Sequence, residues 1–326
     1  NDGSLASGVT IAGDGTVDVF VGGDGKQVFV ADIGNDSIDG GLGRDGVTYA
    51  SFTEGVNVDL GAGQATTSSS GTDELISIEG IIGTSYNDTL IGDIESNKLN
   101  GMAGDDLIKG GLGDDYLIGG VGTDTVSFEL AGSSVSVDLS TNQATGEGND
   151  IVEEFENVIG SMYADVINGD ISDNMIEGGD GDDMISGGAG NDILIGGSGL
   201  DTLDGGAGND YFVFNDMTEF GDLISTFESG DAVKLSSIID GLNGLSGSDW
   251  ATEGFEFGIH TVTDVGEGAQ LSGSGPSIYV YANTGDDSGT IYYDADGAGA
   301  SYTSTKIADI GTGATSITAD AIKITY

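Results

Sequence analysis

The sequence predicts an all-β solenoid, with short parallel strands joined by glycine-rich turns and stacked coil upon coil. Three observations carry this. Glycine supplies 61 of the 326 residues and proline only one, so turns that need positive φ are favoured throughout. Acidic residues outnumber Lys and Arg by 56 to 7, for a formal charge of −49, yet 37% of residues are apolar, too many for a chain that stays unfolded. The apolar and acidic residues also recur with a fixed period of nine.

The period is plainest in residues 160–213, six units without an insertion, among them GGDGDDMIS, GGAGNDILI and GGSGLDTLD. Position six reads Asp165, Asn174, Asp183, Asp192, Asp201, Asp210, and position eight reads Ile167, Ile176, Ile185, Leu194, Leu203, Phe212. A second array, residues 83–127, has Asp88, Asn97, Asp106, Asp115 and Asp124 at six and Leu90, Leu99, Ile108, Leu117 and Val126 at eight. A weaker first array lies within residues 1–48, with Asp18, Gln27, Asp36 and Asp45 at six and Phe20, Phe29, Ile38 and Val47 at eight. Asp thus occupies position six in 12 of 15 units, and a large apolar residue occupies position eight in all of them, a register chance does not produce.

Each unit reads as a six-residue turn followed by a three-residue strand with one side chain pointing inward. Two units make a coil, and stacked coils place parallel strands about 4.8 Å apart. Stacking also brings each position-six Asp close to the Asp eighteen residues on, a ladder that would repel itself unless a cation lay between the turns. Hard carboxylate and carbonyl oxygens point to Ca²⁺.

These units resemble the RTX (repeats-in-toxin) family, the haemolysin-type calcium-binding repeats, whose unit is GGxGxDxUx with U apolar. GGAGNDILI at residues 187–195 matches at every defined position. The resemblance implies a right-handed parallel β-roll with several Ca²⁺ ions between turns. In that family one loop offers the carbonyls of positions two and four with its Asp, and the loop eighteen residues later offers the carbonyls of positions one and three with its own. Carried over, one site joins Gly179, Gly181 and Asp183 to Gly196, Ser198 and Asp201. Another joins Gly188, Gly190 and Asp192 to Gly205, Ala207 and Asp210. In the second array the clearest joins Met102, Gly104 and Asp106 to Gly119, Val121 and Asp124. Asp88, Asp115 and Asp165 are expected to serve likewise, as are Asp18, Asp36 and Asp45 in the first array. Asn97 and Asn174 keep an oxygen but lose the charge, which predicts weaker sites. Gln27 beside Lys26, and Arg44 before Asp45, argue against full occupancy of the first array.

The segments between the arrays, 49–82 and 128–159, are copies of one another: residues 45–66 align with 124–145 at a shift of 79, and 78–83 with 155–160 at a shift of 77. Alternation such as Val56-Asn57-Val58-Asp59-Leu60 predicts strands, read as longer, calcium-poor coils that continue the solenoid, with a projecting hairpin as the alternative. The remainder, 214–326, is a different text. DLISTFESGDAVKLSSI (222–238) and TIYYDADGAG (290–299) resemble the region that follows the roll in serralysin-like proteases and alginate epimerases. That implies a capping β-domain, with a C-terminal end at 321–326 of the kind read by type I secretion machinery and Tyr326 as the true C-terminus.

Composition excludes several functions. With no Cys there is no disulfide scaffold, zinc ribbon or Cys nucleophile, and seven basic residues do not make a nucleic-acid surface. No apolar run reaches eighteen residues, so no transmembrane helix is expected. No signal peptide opens the chain, and a start at Asn1 reads as a fragment. There is no HExxH, Walker loop or G-x-S-x-G, and the single His260 in a strand-like stretch is a poor catalytic candidate. Asp294 and Asp296 hint at an incomplete EF-like loop, and the tyrosines between Tyr279 and Tyr326 read as strand packing before they read as a sugar platform. The expected role is non-enzymatic: a Ca²⁺-binding module of an exported bacterial protein, extracellular or at the cell surface, folding on extracellular calcium. Other readings are a calcium-dependent adhesin or S-layer-like assembly, and the C-terminal part of a secreted protease, lyase or epimerase that binds polysaccharide.

Overall fold

The computed structural model describes residues 9–12, 15, 17–69, 71–215, 217–228 and 230–236. Beyond these it describes the strands Gly258–His260, Ser277–Ala282, Gly289–Asp294, Thr305–Ile310 and Ile322–Thr325. The chain forms two compact units, Asn1–Ile159 and Gly160–Tyr326. Both are parallel β-roll, with helix limited among the described residues to the short 3₁₀ turn Met217–Glu219.

In the first unit one sheet stacks Val9–Ala12, Gln27–Val30, Gly46–Thr48, Gly80–Ile82, Lys98–Ala103, Tyr116–Val121 and Asn149–Glu153, every pair parallel. The facing sheet runs through Val19–Val21, Ser37–Asp39 and Gly71–Ile76, and then through Thr89–Ile91, Leu107–Lys109, Thr125–Ser127 and Asn157–Ile159. Within an array the register offset is eighteen, as in Leu90↔Ile108 and Leu99↔Leu117. Two nine-residue units therefore make one coil, with successive units alternating between the sheets. The second unit repeats the plan in Val166–Asn168, Met184–Ser186 and Thr202–Asp204 on one side and Met175–Asp180, Ile193–Ser198 and Tyr211–Phe214 on the other.

The first inter-array segment is both a coil and a hairpin. Asn57–Asp59 pairs in parallel with Thr89–Ile91, and Gly71–Ile76 in parallel with Ser37–Asp39. Between them Gln64–Thr67 is antiparallel to both, so the hairpin lies within the sheet and does not project from it. In the second segment Gln143–Thr145 takes the same place between Ser136–Asp138 and Asn149–Glu153, now on the other sheet.

After residue 213 the stacking continues with altered spacing. Asp222–Thr226 pairs in parallel with Thr202–Asp204, and Ala232–Ser236 with Tyr211–Phe214. Thr305–Ile310 and Ile322–Thr325 then add to the two edges in parallel, while Gly289–Asp294 and Ser277–Ala282 follow antiparallel. Tyr326 and the side chains of His260, Asp294 and Tyr279 lie outside the described residues, as does Asp296.

The core is one side chain thick. Position eight of each strand points between the sheets: Leu90, Leu99, Ile108, Leu117 and Val126 are fully buried, as are Ile167, Ile176, Leu194, Leu203 and Phe212. Positions seven and nine face outward. The turns stack so closely that side chains are excluded at points of contact: at Gly190 (φ +131°) a Cβ would fall 2.4 Å from the carbonyl oxygen of Ser172. Met102 (φ 82°) is a non-glycine at such a position and carries the strain that glycine avoids.

With so thin a core each position-eight residue matters separately. Ile108→Ala is expected to cost about 2–5 kcal/mol in the calcium-loaded protein. Ile171→Ser, at a turn position 86% exposed, should change stability by less than about 0.5 kcal/mol. Urea unfolding midpoints in excess calcium check both.

Candidate metal centres

The site is the turn, repeated. Each position-six Asp after the first two units of its array makes one ladder bond, accepting the backbone N–H of the position-six residue one coil earlier. Asp88 N–H donates to Asp106 Oδ1 (2.7 Å), Asp106 N–H to Asp124 Oδ1 (2.8 Å) and Asn97 N–H to Asp115 Oδ1 (2.7 Å). Asp183, Asp192, Asp201 and Asp210 accept in the same way from Asp165, Asn174, Asp183 and Asp192 at 2.7–2.9 Å. Asp36 and Asp45 accept from Asp18 and Gln27.

The second oxygen of each of these carboxylates is buried and has no protein partner. That holds for Oδ2 of Asp36, Asp45, Asp106, Asp115, Asp124, Asp183, Asp192, Asp201 and Asp210, nine residues following one rule. Asp192 and Asp210 are 0% exposed. A buried ionised oxygen without a partner costs several kcal/mol, so the set calls for either protons or cations.

The backbone supplies the remaining oxygens. The position-three carbonyls of Val121, Ser198 and Ala207 accept the N–H of Gly104, Gly181 and Gly190, and each keeps a second lone pair. Gly179, Gly181, Gly188 and Gly190 adopt positive φ in the same turns, and Gly196 and Gly205 abut Asp201 Oδ2 and Asp210 Oδ2. Gly119 approaches Asp124 in the same manner. These residues fit a hard, oxygen-loving divalent ion. They would hold Ca²⁺ through paired Asp carboxylates and turn carbonyls, and the ion would neutralise the ladder.

The first two position-six residues of each array stand differently. Asp88 Oδ2 accepts Thr84 N–H (2.6 Å) and its Oδ1 accepts the Thr84 hydroxyl (2.8 Å). Asp165 is held identically by Ser161. Asn97, Asn174 and Gln27 each turn their side-chain oxygen onto the N–H two residues into their own turn, from Asp93, Asp170 and Gly23. Asp88 and Asp165, expected as ligands, therefore differ from the later ladder residues in having a protein donor on both oxygens, Asp88 Oδ1 accepting Val56 N–H (2.8 Å) as well. In the first array Asp18, Asp32 and Asp36 bring carboxylate oxygens within 4.8 Å of one another. Arg44 turns away from the ladder to donate to the carbonyl of Ser96.

Six ladder residues escape the nine-residue count. Asp36 and Asp45 N–H donate to Asp73 and Glu79, Asp115 and Asp124 N–H to Asp150 and Glu156, and Asp201 and Asp210 N–H to Asp222 and Asp231. Each pair closes the two ladders of one array. The inter-array segments thus carry ladder carboxylates of their own.

Burial dominates the electrostatics. It raises Asp106, Asp115 and Asp183 from the usual 3.8 to about 7, Asp124, Asp201 and Asp210 to about 6, and Asp222 to about 8, with neighbouring carboxylates adding to the effect. Backbone N–H donors oppose the rise without cancelling it.

These turns define a metal-binding roll in which stacked carboxylates and carbonyls form the site. A family model for the RTX calcium-binding nonapeptide repeat matches four copies, at residues 11–47, 91–126, 159–194 and 186–216, and the chain carries these RTX repeats. RTX nonapeptide repeats bind calcium. No curated protein matches the chain. Among solved structures, the crystal structure of extracellular lipase LipA from Serratia marcescens is similar over 76% of this chain, at 17% identity and a TM-score of 0.21. This chain spans 40% of that lipase chain.

Without metal, the raised values mean that the folded chain binds more protons than the unfolded chain between pH 3.8 and about 8. Its stability is fully present below the unfolded value and is lost as pH rises through the folded ones. In EGTA, lowering the pH from about 8 to about 5 should therefore increase the strand signal by circular dichroism. In calcium the same acidification should weaken the fold, because protons displace the ion.

Proposed function

We propose that this chain is a calcium-folded module of an exported protein and acts as structure, with no catalysis of its own. One observation carries the reading: nine buried position-six carboxylates, each with one oxygen in the ladder and one without a protein partner. At low calcium the ladders repel, and the chain stays loose enough to be threaded through a type I secretion channel. Outside the cell, calcium at roughly 10⁻⁴–10⁻³ M suits sites of this kind and drives folding. The lack of Cys supports export without disulfide formation. Among the described residues no helix is long and apolar enough to cross a membrane.

Far-UV circular dichroism in EGTA and then in calcium tests this. At neutral pH strand signal should develop only on calcium addition, and an unchanged strand signal in EGTA would contradict it. Asp192→Ala removes a ladder acceptor and a bare oxygen together and should raise the calcium concentration at half-folding severalfold.

A further inference from the structure

We propose that the second inter-array segment holds a calcium site of its own, between the turn at residues 110–115 and the turn at 145–150. The proposal rests on the calcium reading above and places an ion where neither the repeat count nor the family model puts one.

Residues 145–153 read TGEGNDIVE, a nine-residue unit with Thr in place of the first Gly. The second array ends at Ser127, and the segment starts 35 residues after the turn at Gly110, out of step with the period, so a ruler of nine passes over it. The structure restores the step. Asn149–Glu153 pairs in parallel with Tyr116–Val121, Leu117 facing Val152 as one position-eight residue faces the next elsewhere.

Four of the bonds that join two repeat turns are present, although the one from position three to position two, as Ala207 N–H makes to the Gly188 carbonyl, has no counterpart here. Gly113 N–H donates to the carbonyl of Glu147 (3.2 Å), as Gly190 N–H does to that of Ala207. Asn149 N–H donates to Asp114 Oδ1 (2.9 Å), as Asn209 N–H does to Asn191 Oδ1. Asp115 N–H donates to Asp150 Oδ1 (2.9 Å), as Asp192 N–H does to Asp210 Oδ1. Ile151 N–H donates to the Asp115 carbonyl, as Tyr211 N–H does to that of Asp192. A Cβ on Gly148 would fall 1.4 Å from the carbonyl oxygen of Gly113, and one on Gly208 1.5 Å from that of Gly190. The second half of the turn therefore sits over Gly113 as that of a repeat turn does, while Gly146 lies against Ser134 instead.

Two further observations point to an ion. Asp115 is 2% exposed and its Oδ2 has no partner. Glu147, half-buried beside Asp115 and Asp150, adds a third carboxylate at position three, and more ligand charge favours tighter binding. In the first inter-array segment the carboxylate that corresponds to Asp150 has a protein donor. There the buried hydroxyl of Tyr49 donates to Asp73 Oδ2 (3.3 Å), and burial with the nearby Asp73 charge holds that phenol protonated. In the second copy Phe128 stands in the place of Tyr49 and brings no hydroxyl.

Calcium bound per chain, measured on the full chain by equilibrium dialysis with metal analysis, tests the site. Asp150→Asn keeps an oxygen to accept Asp115 N–H, so the ladder survives while the charge is lost. Asp192→Asn is the matched change in a repeat turn. Asp150→Asn is expected to lose one ion per chain, or to weaken one ion by about tenfold, and Glu147→Gln to weaken the same ion less. An Asp150→Asn chain that binds as many ions as tightly as the parent, while Asp192→Asn loses one, overturns this site and leaves the calcium reading standing. A parent chain that takes up no calcium overturns both.

Discussion

Like charge held at short range governs this molecule. A coil of eighteen residues returns each position-six Asp to the same place one layer up, where its carboxylate accepts a backbone N–H from the layer below. The ladder that fixes the stacking also removes those carboxylates from water. One oxygen is satisfied and the other is not, and the deficit recurs at nine positions. A divalent ion answers it, because it meets both the charge and the missing coordination. A proton answers the charge alone, and only while the pH lies below the raised values.

Other features of the chain follow from that arrangement. Turns that expose carbonyls to an ion and touch the turn below have no room for side chains, hence glycine at Gly190 and Gly208. Two sheets joined by such turns leave space for one inward residue per strand, which is why Ile108 and Leu194 are fully buried while their neighbours face out. A core this thin is a modest source of stability, so the fold depends on its turns to a degree that a thicker β-sandwich does not. The arrays also need defined beginnings. In the second and third arrays Thr84 and Ser161 supply them by giving both oxygens of Asp88 and Asp165 a protein donor, while the other ladder of each starts from an uncharged amide, Asn97 or Asn174.

Much of this was legible in the sequence, because a fixed period converts composition into position: Asp at six and an apolar residue at eight give the strands, the turns and the stacking together. What escaped did so for identifiable reasons. Asp73, Asp150, Asp222 and Asp231 occupy ladder places at offsets of 37, 35, 21 and 21 from their donors, because hairpins and longer turns are inserted between coils. A count of nine passes over them, whereas the hydrogen bonds do not. The donors that Thr84 gives both oxygens of Asp88 escaped a reading of position six alone, since the signal lies at position two. The inter-array segments were expected to be either coils or a hairpin, and the structure combines them, with the hairpin inside the sheet.

The central claim is that the bare carboxylate oxygens belong to calcium. Anomalous diffraction from crystals grown in calcium tests it most directly. The account predicts ions between the turns of Asp183 and Asp201, of Asp192 and Asp210, and of Asp106 and Asp124, each within about 2.3–2.6 Å of the carboxylate oxygens. Crystals of the folded roll with no ion at these turns, the oxygens protonated or bound to water, would contradict it.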